Sequence, residues 1–145
     1  MNPNEALIRK FYSAFQQKDF LTMQSCYHDE ATFSDPVFQN LSSKEVKAMW
    51  QMLLTSSKDL KVTFDSVRPN SCHWEAWYTF SRTGRVVHNI IDASFEFKDG
   101  LIYRHKDHFN ISRWGRQALG FIGIFPFVHT KVRATARKSL EKFMA

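Results

Sequence analysis

The stretch FEFKDGLIYRHKD, residues 95–107, decides the fold, because it reads as two β-strands joined by a tight turn. The dipeptide Asp99-Gly100 is a typical two-residue hairpin signal, since glycine tolerates the positive φ that such turns require. Side chains two residues apart on a strand point to the same face, so His105 and Asp107 share one surface of the sheet. The sequence thus predicts a hairpin that presents an imidazole and a carboxyl group side by side.

The hairpin is the last part of a predicted antiparallel meander. Strand-like runs with turn signals between them cover residues 62–67, 74–80, 86–97 and 101–111. Helical spacing of apolar residues precedes them, over about 3–17, a short segment after Asp19, and about 43–56. Helices that come first and strands that follow predict an α+β domain, in which the N-terminal helices cover one face of an antiparallel sheet.

The C-terminal part of the chain has a different composition. Residues 118–128 are apolar and contain two glycines, and a cationic amphipathic helix is predicted over about 129–143. The formal net charge of +6 arises entirely from residues 113–145, which hold seven Lys or Arg and only one acidic residue, Glu141. We therefore distinguish an α+β unit, residues 1–114, from a C-terminal segment, residues 115–145, that packs on the same domain.

Composition and charge argue against several classes of protein. Residues 1–112 carry no net charge, which argues against nucleic-acid binding through the sheet. The N-terminus lacks the basic and apolar regions of a secretory signal, and the longest uncharged apolar run is too short to cross a bilayer, so a cytoplasmic location is expected. Cys26 and Cys72 form no ligand cluster with the histidines, so we expect two reduced, buried thiols, no metal and no cofactor.

In the order and spacing of its motifs, the chain resembles the nuclear transport factor 2-like superfamily and, within it, the SnoaL-like proteins. The motifs lie within about residues 5–114 and are Phe11-Tyr12-Ser13-Ala14-Phe15 with Asp19, Phe33-Ser34-Asp35-Pro36, and residues 84–89, 95–102 and 105–109. The resemblance implies a cone-like roll, with a curved sheet and helices enclosing a pocket, and frequent dimerisation through the sheet. Members include ketosteroid isomerase, polyketide cyclases, limonene epoxide hydrolase and non-catalytic binders, so the fold alone leaves the function open.

The resemblance also implies roles for residues in the pocket. Related epoxide hydrolases and cyclases often place an acid/base carboxylate at the position of Asp107, which would transfer a proton while His105 orients it or tunes its pKa. Asn89 would hold a substrate oxygen or a water on an apolar strand face. The further ligand-binding candidates are Tyr12, Asp35, Phe33, Trp50 and Trp77. Each has a structural alternative: a hydrogen-bonded pair for His105 and Asp107, packed core for the aromatic residues, and turn chemistry for Asp35.

Two departures from the family pattern keep the reaction open. The hydrolase type needs an Arg-x-Asp pair on the strand over 86–97, where only Asp92 stands, on the face opposite Asn89. The isomerase type needs an oxyanion donor besides Tyr12, and the sequence identifies none. Two classes of function remain. One is an isomerase, cyclase or hydrolase that acts on a largely apolar small molecule through Asp107 and His105; the other is a non-catalytic ligand-binding or protein-interaction module.

The expected partners follow from the resemblance and from the C-terminal segment. A homodimer and an apolar small molecule are expected, and a nucleic acid is not. A basic amphipathic helix is also typical of proteins that lie on an anionic membrane surface. We favour instead a segment that closes the pocket or packs in a dimer, because Pro126 would interrupt the helix that a membrane anchor needs.

Overall fold

A computed structural model describes residues 2–145, which form five α-helices, one 3-10 helix and a six-stranded mixed sheet. The helices are α1 (Pro3–Gln16), α2 (Phe20–Ser25), α3 (Ser43–Ser56), α4 (Ile111–Leu119) and α5 (Pro126–Met144), with the 3-10 helix at Phe121–Ile124. The strands are β1 (Tyr27–Ser34), β2 (Leu41–Ser42), β3 (Lys61–Arg68), β4 (Ser71–Phe80), β5 (Arg85–Lys98) and β6 (Leu101–His108). The predicted α+β class is confirmed.

The sheet has the strand order β2-β1-β6-β5-β4-β3. Strands β3 to β6 form the predicted antiparallel meander, and Asp99 and Gly100 turn the chain between β5 and β6 with φ values of 54° and 75°. Strand β1 pairs in parallel with β6, with Phe33 opposite His105. The sheet is therefore mixed, and the prediction of a wholly antiparallel sheet was wrong. No local pattern in the sequence predicts this pairing, because the two strands lie about seventy residues apart in the chain.

The helices begin where the sequence supplies capping side chains. Asn2 accepts hydrogen bonds from the first turn of α1, and Ser42 and Glu45 form a capping box at the start of α3. The apolar faces of α1, α2 and α3 then pack on one face of the sheet, here called the inner face, and bury side chains such as Phe11 completely. Each such burial contributes about 2–3 kcal/mol to folding. The two cysteines are buried in this core and unpaired, as predicted.

The C-terminal segment contains more helix than predicted. Strand β6 ends at His108, and Asn110 caps α4 where the sequence predicts a continued strand. Pro126 is the first residue of α5, so it starts this helix and does not interrupt it, because the fixed φ of proline suits a first turn. Leu140 of α5 is completely buried in the main core. Among residues 2–145 no helix is both long enough and apolar enough to cross a bilayer.

Candidate functional site

A cavity of about 720 Å³ lies between the inner face of the sheet and helices α3, α4 and α5. Its wall is mostly apolar, as is usual for small-molecule sites. The apolar residues include Met49, Trp50, Leu53, Trp74, Ile91, Phe109 and Trp114. The polar and charged groups that reach the cavity include Asp35, Asn89 and Asp107, and the exposed residues Arg82 and Lys131 also line it. The cavity therefore offers a large apolar surface with a few polar groups in fixed positions.

His105 and Asp107 lie together on the inner face of β6. Nε2 of His105 is 2.9 Å from Oδ1 of Asp107, and the two side chains are 0% and 2% exposed. The other ring nitrogen, Nδ1, is 2.8 Å from the hydroxyl oxygen of Tyr27, and this oxygen accepts a hydrogen bond from Nε1 of Trp50 at 2.9 Å. Nε1 of Trp74 makes a longer contact of 3.4 Å with the same Asp107 oxygen. The pair is thus held in a buried chain of hydrogen bonds.

This chain of hydrogen bonds assigns the proton positions. An indole nitrogen can only donate, so the Tyr27 oxygen accepts from Trp50, and Tyr27 donates its own proton to Nδ1 of His105. Nε2 is then the protonated ring nitrogen, and it donates to the Asp107 carboxylate. A doubly protonated ring would leave the Tyr27 proton without an acceptor. With these positions, each donor in the chain from Trp50 to Asp107 has an acceptor.

One oxygen of Asp107 remains available to a ligand. Both hydrogen bonds to this carboxylate end on Oδ1, while Oδ2 has no partner among residues 2–145, and Asp107 lines the cavity. The arrangement resembles a general base that is oriented from behind, with the imidazole on one oxygen and the reacting proton expected at the other. Burial in an apolar wall also strengthens any interaction that this oxygen makes.

Asp35 supplies a second carboxyl group to the cavity. Its Oδ1 accepts hydrogen bonds from the backbone N–H groups of Val37 and Phe38, at 2.7 and 2.6 Å, in the turn that follows β1. Burial raises the pKa of Asp35 to about 7; the negative charge of Asp107 acts in the same direction, and the two backbone hydrogen bonds oppose it. Asp35 is therefore partly protonated near neutral pH, and its protonated form can donate a hydrogen bond to a ligand.

Asn89 lies on the inner face of β5, beside Ile91 in the cavity wall. Asn89 is buried, yet its side-chain amide makes no hydrogen bond to any other residue within 2–145. An unused amide on an apolar wall can accept or donate a hydrogen bond to a ligand. Asp35, Trp50, Asn89 and Asp107 are the predicted site residues that the structure brings to the cavity.

Tyr12 and Phe33 are buried near the site but do not line the cavity. The Tyr12 ring stacks on Phe64 at a centroid distance of 5.5 Å, and its hydroxyl has no partner among residues 2–145. The Phe33 ring contacts the His105 ring edge-on at 4.9 Å. Both side chains thus support the walls around the hydrogen-bonded chain, and a direct contact with a ligand stays a prediction.

Trp77 lies on the other face of the sheet, here called the outer face. Its ring stacks on His88 at a centroid distance of 4.4 Å, and it does not line the cavity. The reason is the alternation of side chains along β4, which turns Trp74 and Ala76 inward and therefore turns Trp77 outward. The structure gives Trp77 no place in the cavity that the sequence predicted for it.

Sequence reasoning missed Tyr27 and Trp74, both of which hold the His105–Asp107 pair. Trp74 had a signal, because it shares the inward alternation of Ala76 and pairs with Ile91 on the neighbouring strand. Tyr27 had none, because its contact with His105 depends on the parallel pairing of β1 with β6. Within residues 2–145 no group of His, Cys, Asp and Glu has the arrangement of a metal site.

Three solved structures show how widely this fold is shared. A candidate polyketide cyclase from Silicibacter is 16% identical, with a TM-score of 0.64, and the alignment covers 81% of this chain and 96% of that one. An LEH-like epoxide hydrolase from M. tuberculosis is 15% identical, with a TM-score of 0.65 and coverage of 84% and 94%. A nuclear transport factor 2-like protein of unknown function from Burkholderia pseudomallei is 16% identical, with a TM-score of 0.67 and coverage of 82% and 99%. At such identities the likeness shows the fold alone.

The sequence itself identifies the family. A search of curated proteins finds no match. The model of the SnoaL-like domain matches residues 8–105, which span α1 to most of β6 and include every member of the hydrogen-bonded chain except Asp107. The match covers more than half of the chain and agrees with the resemblance drawn from its motifs. The chain therefore belongs to the SnoaL-like domain family.

Proposed function

We propose that the protein binds a largely apolar small molecule in its cavity and transfers a proton on it through Asp107, as an isomerase, cyclase or hydrolase does. The observation that carries this proposal is the free Oδ2 of Asp107, at the end of a buried chain of hydrogen bonds and in the wall of an apolar cavity of about 720 Å³. A structural pair would need no open oxygen and no cavity.

In the proposed step, Oδ2 of Asp107 removes a proton from a carbon next to a carbonyl group of the ligand. The Nε2–H of His105 stabilises the carboxylate before the transfer and keeps its orientation afterwards. The negative charge that develops on the carbonyl oxygen is met by the amide of Asn89 or by the protonated form of Asp35. Return of the proton to a different carbon completes an isomerisation, and attack of the carbanion on a second carbonyl group completes a cyclisation.

The solved structures with this fold support the class of ligand. Those named above include a candidate polyketide cyclase and an epoxide hydrolase, both of which act on small organic molecules. Hydrolysis of an epoxide is the weakest of the three reactions for this chain, because β5 lacks the Arg-x-Asp pair. Asp92, the one carboxylate near that position, lies on the outer face and is hydrogen-bonded to His73.

The variant Asp107→Asn tests the proposal. The amide keeps the shape and the acceptor oxygen for His105 but cannot take up a proton, so turnover on a panel of ketones, epoxides and lactones should fall by about 10²–10⁴-fold, with ligand binding retained. Asp29→Asn, on an exposed carboxylate of β1, is the matched control and should leave turnover unchanged. If the wild type binds apolar ligands but turns over none of the panel, the protein is a non-catalytic binder and the proposal is wrong.

A further inference from the structure

Apolar residues at the mouth of the cavity are exposed instead of buried. Phe121, Ile122 and Phe127 are 72%, 58% and 64% exposed. Phe125 lies between the two phenylalanines, with its ring centroid 5.6 Å from that of Phe121 and 5.8 Å from that of Phe127. We call these four residues the aromatic rim. Ile122 and Phe127 also line the cavity, so the rim borders its opening.

The aromatic rim is held firmly in this exposed position. The backbones of Gly115 on α4 and Gly123 on the 3-10 helix touch so closely that a Cβ atom on either would overlap the other's carbonyl group. The buried His129 of α5 donates a hydrogen bond from Nε2 to the carbonyl oxygen of Gly123 at 2.8 Å. Contacts with α4 and α5 thus hold the segment in place, and they keep its aromatic rings exposed at the surface.

Basic side chains border the cavity and the segment that carries the aromatic rim. Lys131 follows Phe127 by one helical turn, and Lys131 and Arg82 both line the cavity from exposed positions. The guanidinium group of Arg85 lies beside Gly120, directly before the rim. Residues 113–140 contain no acidic residue at all. The surface around the opening therefore combines exposed aromatic rings with an uncompensated positive charge.

We propose that the aromatic rim and its basic border dock on the surface of an anionic lipid bilayer, with the mouth of the cavity facing the lipid. Exposed Phe and Ile side chains gain from burial at the boundary between headgroups and acyl chains, and each nearby Lys or Arg adds attraction to anionic headgroups. Proline gives no reason against such docking, because Pro126 begins α5 and leaves it continuous.

The charge pattern favours a bilayer over a second copy of the chain. Two copies that met through this surface would bring the same basic side chains together, and the repulsion would oppose the contact. A bilayer instead supplies negative charge and an apolar layer at the same depth as the rim. An apolar ligand could then pass from the bilayer directly into the cavity, a last step that rests on the proposed function.

Vesicle co-sedimentation of the full chain tests the docking. The wild type should sediment with vesicles of phosphatidylcholine and phosphatidylglycerol, and much less with phosphatidylcholine alone or at high salt. The double variant Phe121→Ser/Phe127→Ser should lower the partition coefficient by about tenfold or more. Leu21→Ser is the matched control, because Leu21 is 68% exposed on α2, and it should bind as the wild type does. Lys131→Gln should weaken binding to the anionic vesicles only.

Three results would overturn the docking proposal. The first two are no sedimentation of the wild type with the anionic vesicles, and equal sedimentation of the wild type and the double variant. The third is a dimer of the wild type, seen by sedimentation velocity without lipid, that the double substitution converts to a monomer. The last would make the rim an interface between copies. Asp107→Asn should keep full vesicle binding, so a failure of the proposed proton transfer and a failure of docking are observed in separate measurements.

Discussion

Folding of the protein buries the carboxyl group of Asp35. The free-energy cost of this burial depends on pH. Its pKa rises from 3.8 to about 7 on folding, mainly through burial, so the folded state binds a proton between these values that the unfolded state has released. Stability contributed by the protonated form is therefore present at low pH and is lost as the pH rises through about 7. A residue that costs stability at neutral pH and lines a cavity is a common feature of functional sites.

The variant Asp35→Asn should make the protein more stable at pH 8. The amide oxygen can still accept the hydrogen bonds from Val37 and Phe38, while the buried charge is gone, so the free energy of unfolding should rise by roughly 2 kcal/mol. Urea unfolding at pH 5 and pH 8 measures the change, which should be much smaller at pH 5. Asp29→Asn, on an exposed carboxylate, should change neither value. A loss of stability at pH 8 would show that the charged form of Asp35 is the one that the fold prefers.

At the level of single residues, the sequence predicted which face of a strand each side chain lies on, because this follows from alternation along the strand. It missed the contacts that depend on which strands pair with each other. The shared face of His105 and Asp107 and the inward position of Asn89 follow from the period of two along a strand. The hydrogen bond from Tyr27 to His105 does not, because it depends on which distant strand lies beside β6. The open oxygen of Asp107 also depends on where the partners of the carboxylate lie, and the sequence gives no measure of that.

The contact between α4 and the 3-10 helix depends on two glycines. A Cβ atom at position 123 would overlap the carbonyl group of Gly115, so the two elements would have to separate. Gly123→Ala should therefore lower the free energy of unfolding by about 2–3 kcal/mol, although alanine is usually the better helix former.

Urea unfolding of Gly123→Ala and of Gly84→Ala separates this steric effect from backbone strain. Gly84 has a φ of 72° and open space around its Cα atom, so its replacement should cost only about 1 kcal/mol. Equal costs for the two variants would mean that the glycine contact is not tight in solution. Gly123→Ala should also weaken vesicle binding, because the same contact positions the aromatic rim.

Among the elements, the capped helices and the meander were predicted well, and the C-terminal segment was not. The boundaries of α3 agree with the prediction because Ser42 and Glu45 form a local capping box. Helix α4 was missed although Asn110 is a good N-cap, because the apolar residues that follow it extend the strand pattern of β6. The start of α5 was placed three residues late, since Pro126 was taken as a break in the helix and not as its first residue.

At the scale of the whole molecule, His73 also has a raised pKa, and it lies on the face of the sheet opposite the cavity. His73 on the outer face is hydrogen-bonded to Asp92 at 2.8 Å and to Glu75 at 2.9 Å, and these two contacts raise its pKa above 6.5. A histidine with a raised pKa adds stability that is fully present below its unfolded value and is lost as the pH rises through its folded value. Asp35 and His73 thus both favour the folded state at mildly acidic pH.

The folded protein should be most stable near about pH 4.5. Below this pH stability falls, because several carboxylates have lowered pKa values in the folded state and lose their hydrogen bonds on protonation; these are Asp19, Glu45, Asp59 and Glu75. Above it, the contribution of Asp35 is lost progressively up to about pH 7, and that of His73 is lost as the pH rises through its raised pKa. Urea unfolding across the pH range measures the profile, and Asp35→Asn/His73→Gln should flatten its alkaline side. A wild-type stability that rises from pH 6 to 8 would contradict this account.

At this scale the sequence predicted the class, the family and the placement of the helices on one sheet face, because these follow from the order of periodic segments. It did not predict where the cavity opens, since that depends on how α5 and the 3-10 helix pack beside it. The homodimer expected from the resemblance stays a prediction.

The parallel pairing of β1 with β6 also sets the order in which the molecule can assemble. A ribosome completes β1 long before it reaches β6, so the edge of β1 and the apolar sides of the first three helices must wait for the strand that covers them. Contacts between such distant segments form slowly and leave apolar surface open to aggregation in the meantime. The bond between Tyr27 and His105 closes this long loop, so the chemistry of the cavity is assembled only after most of the chain has been made.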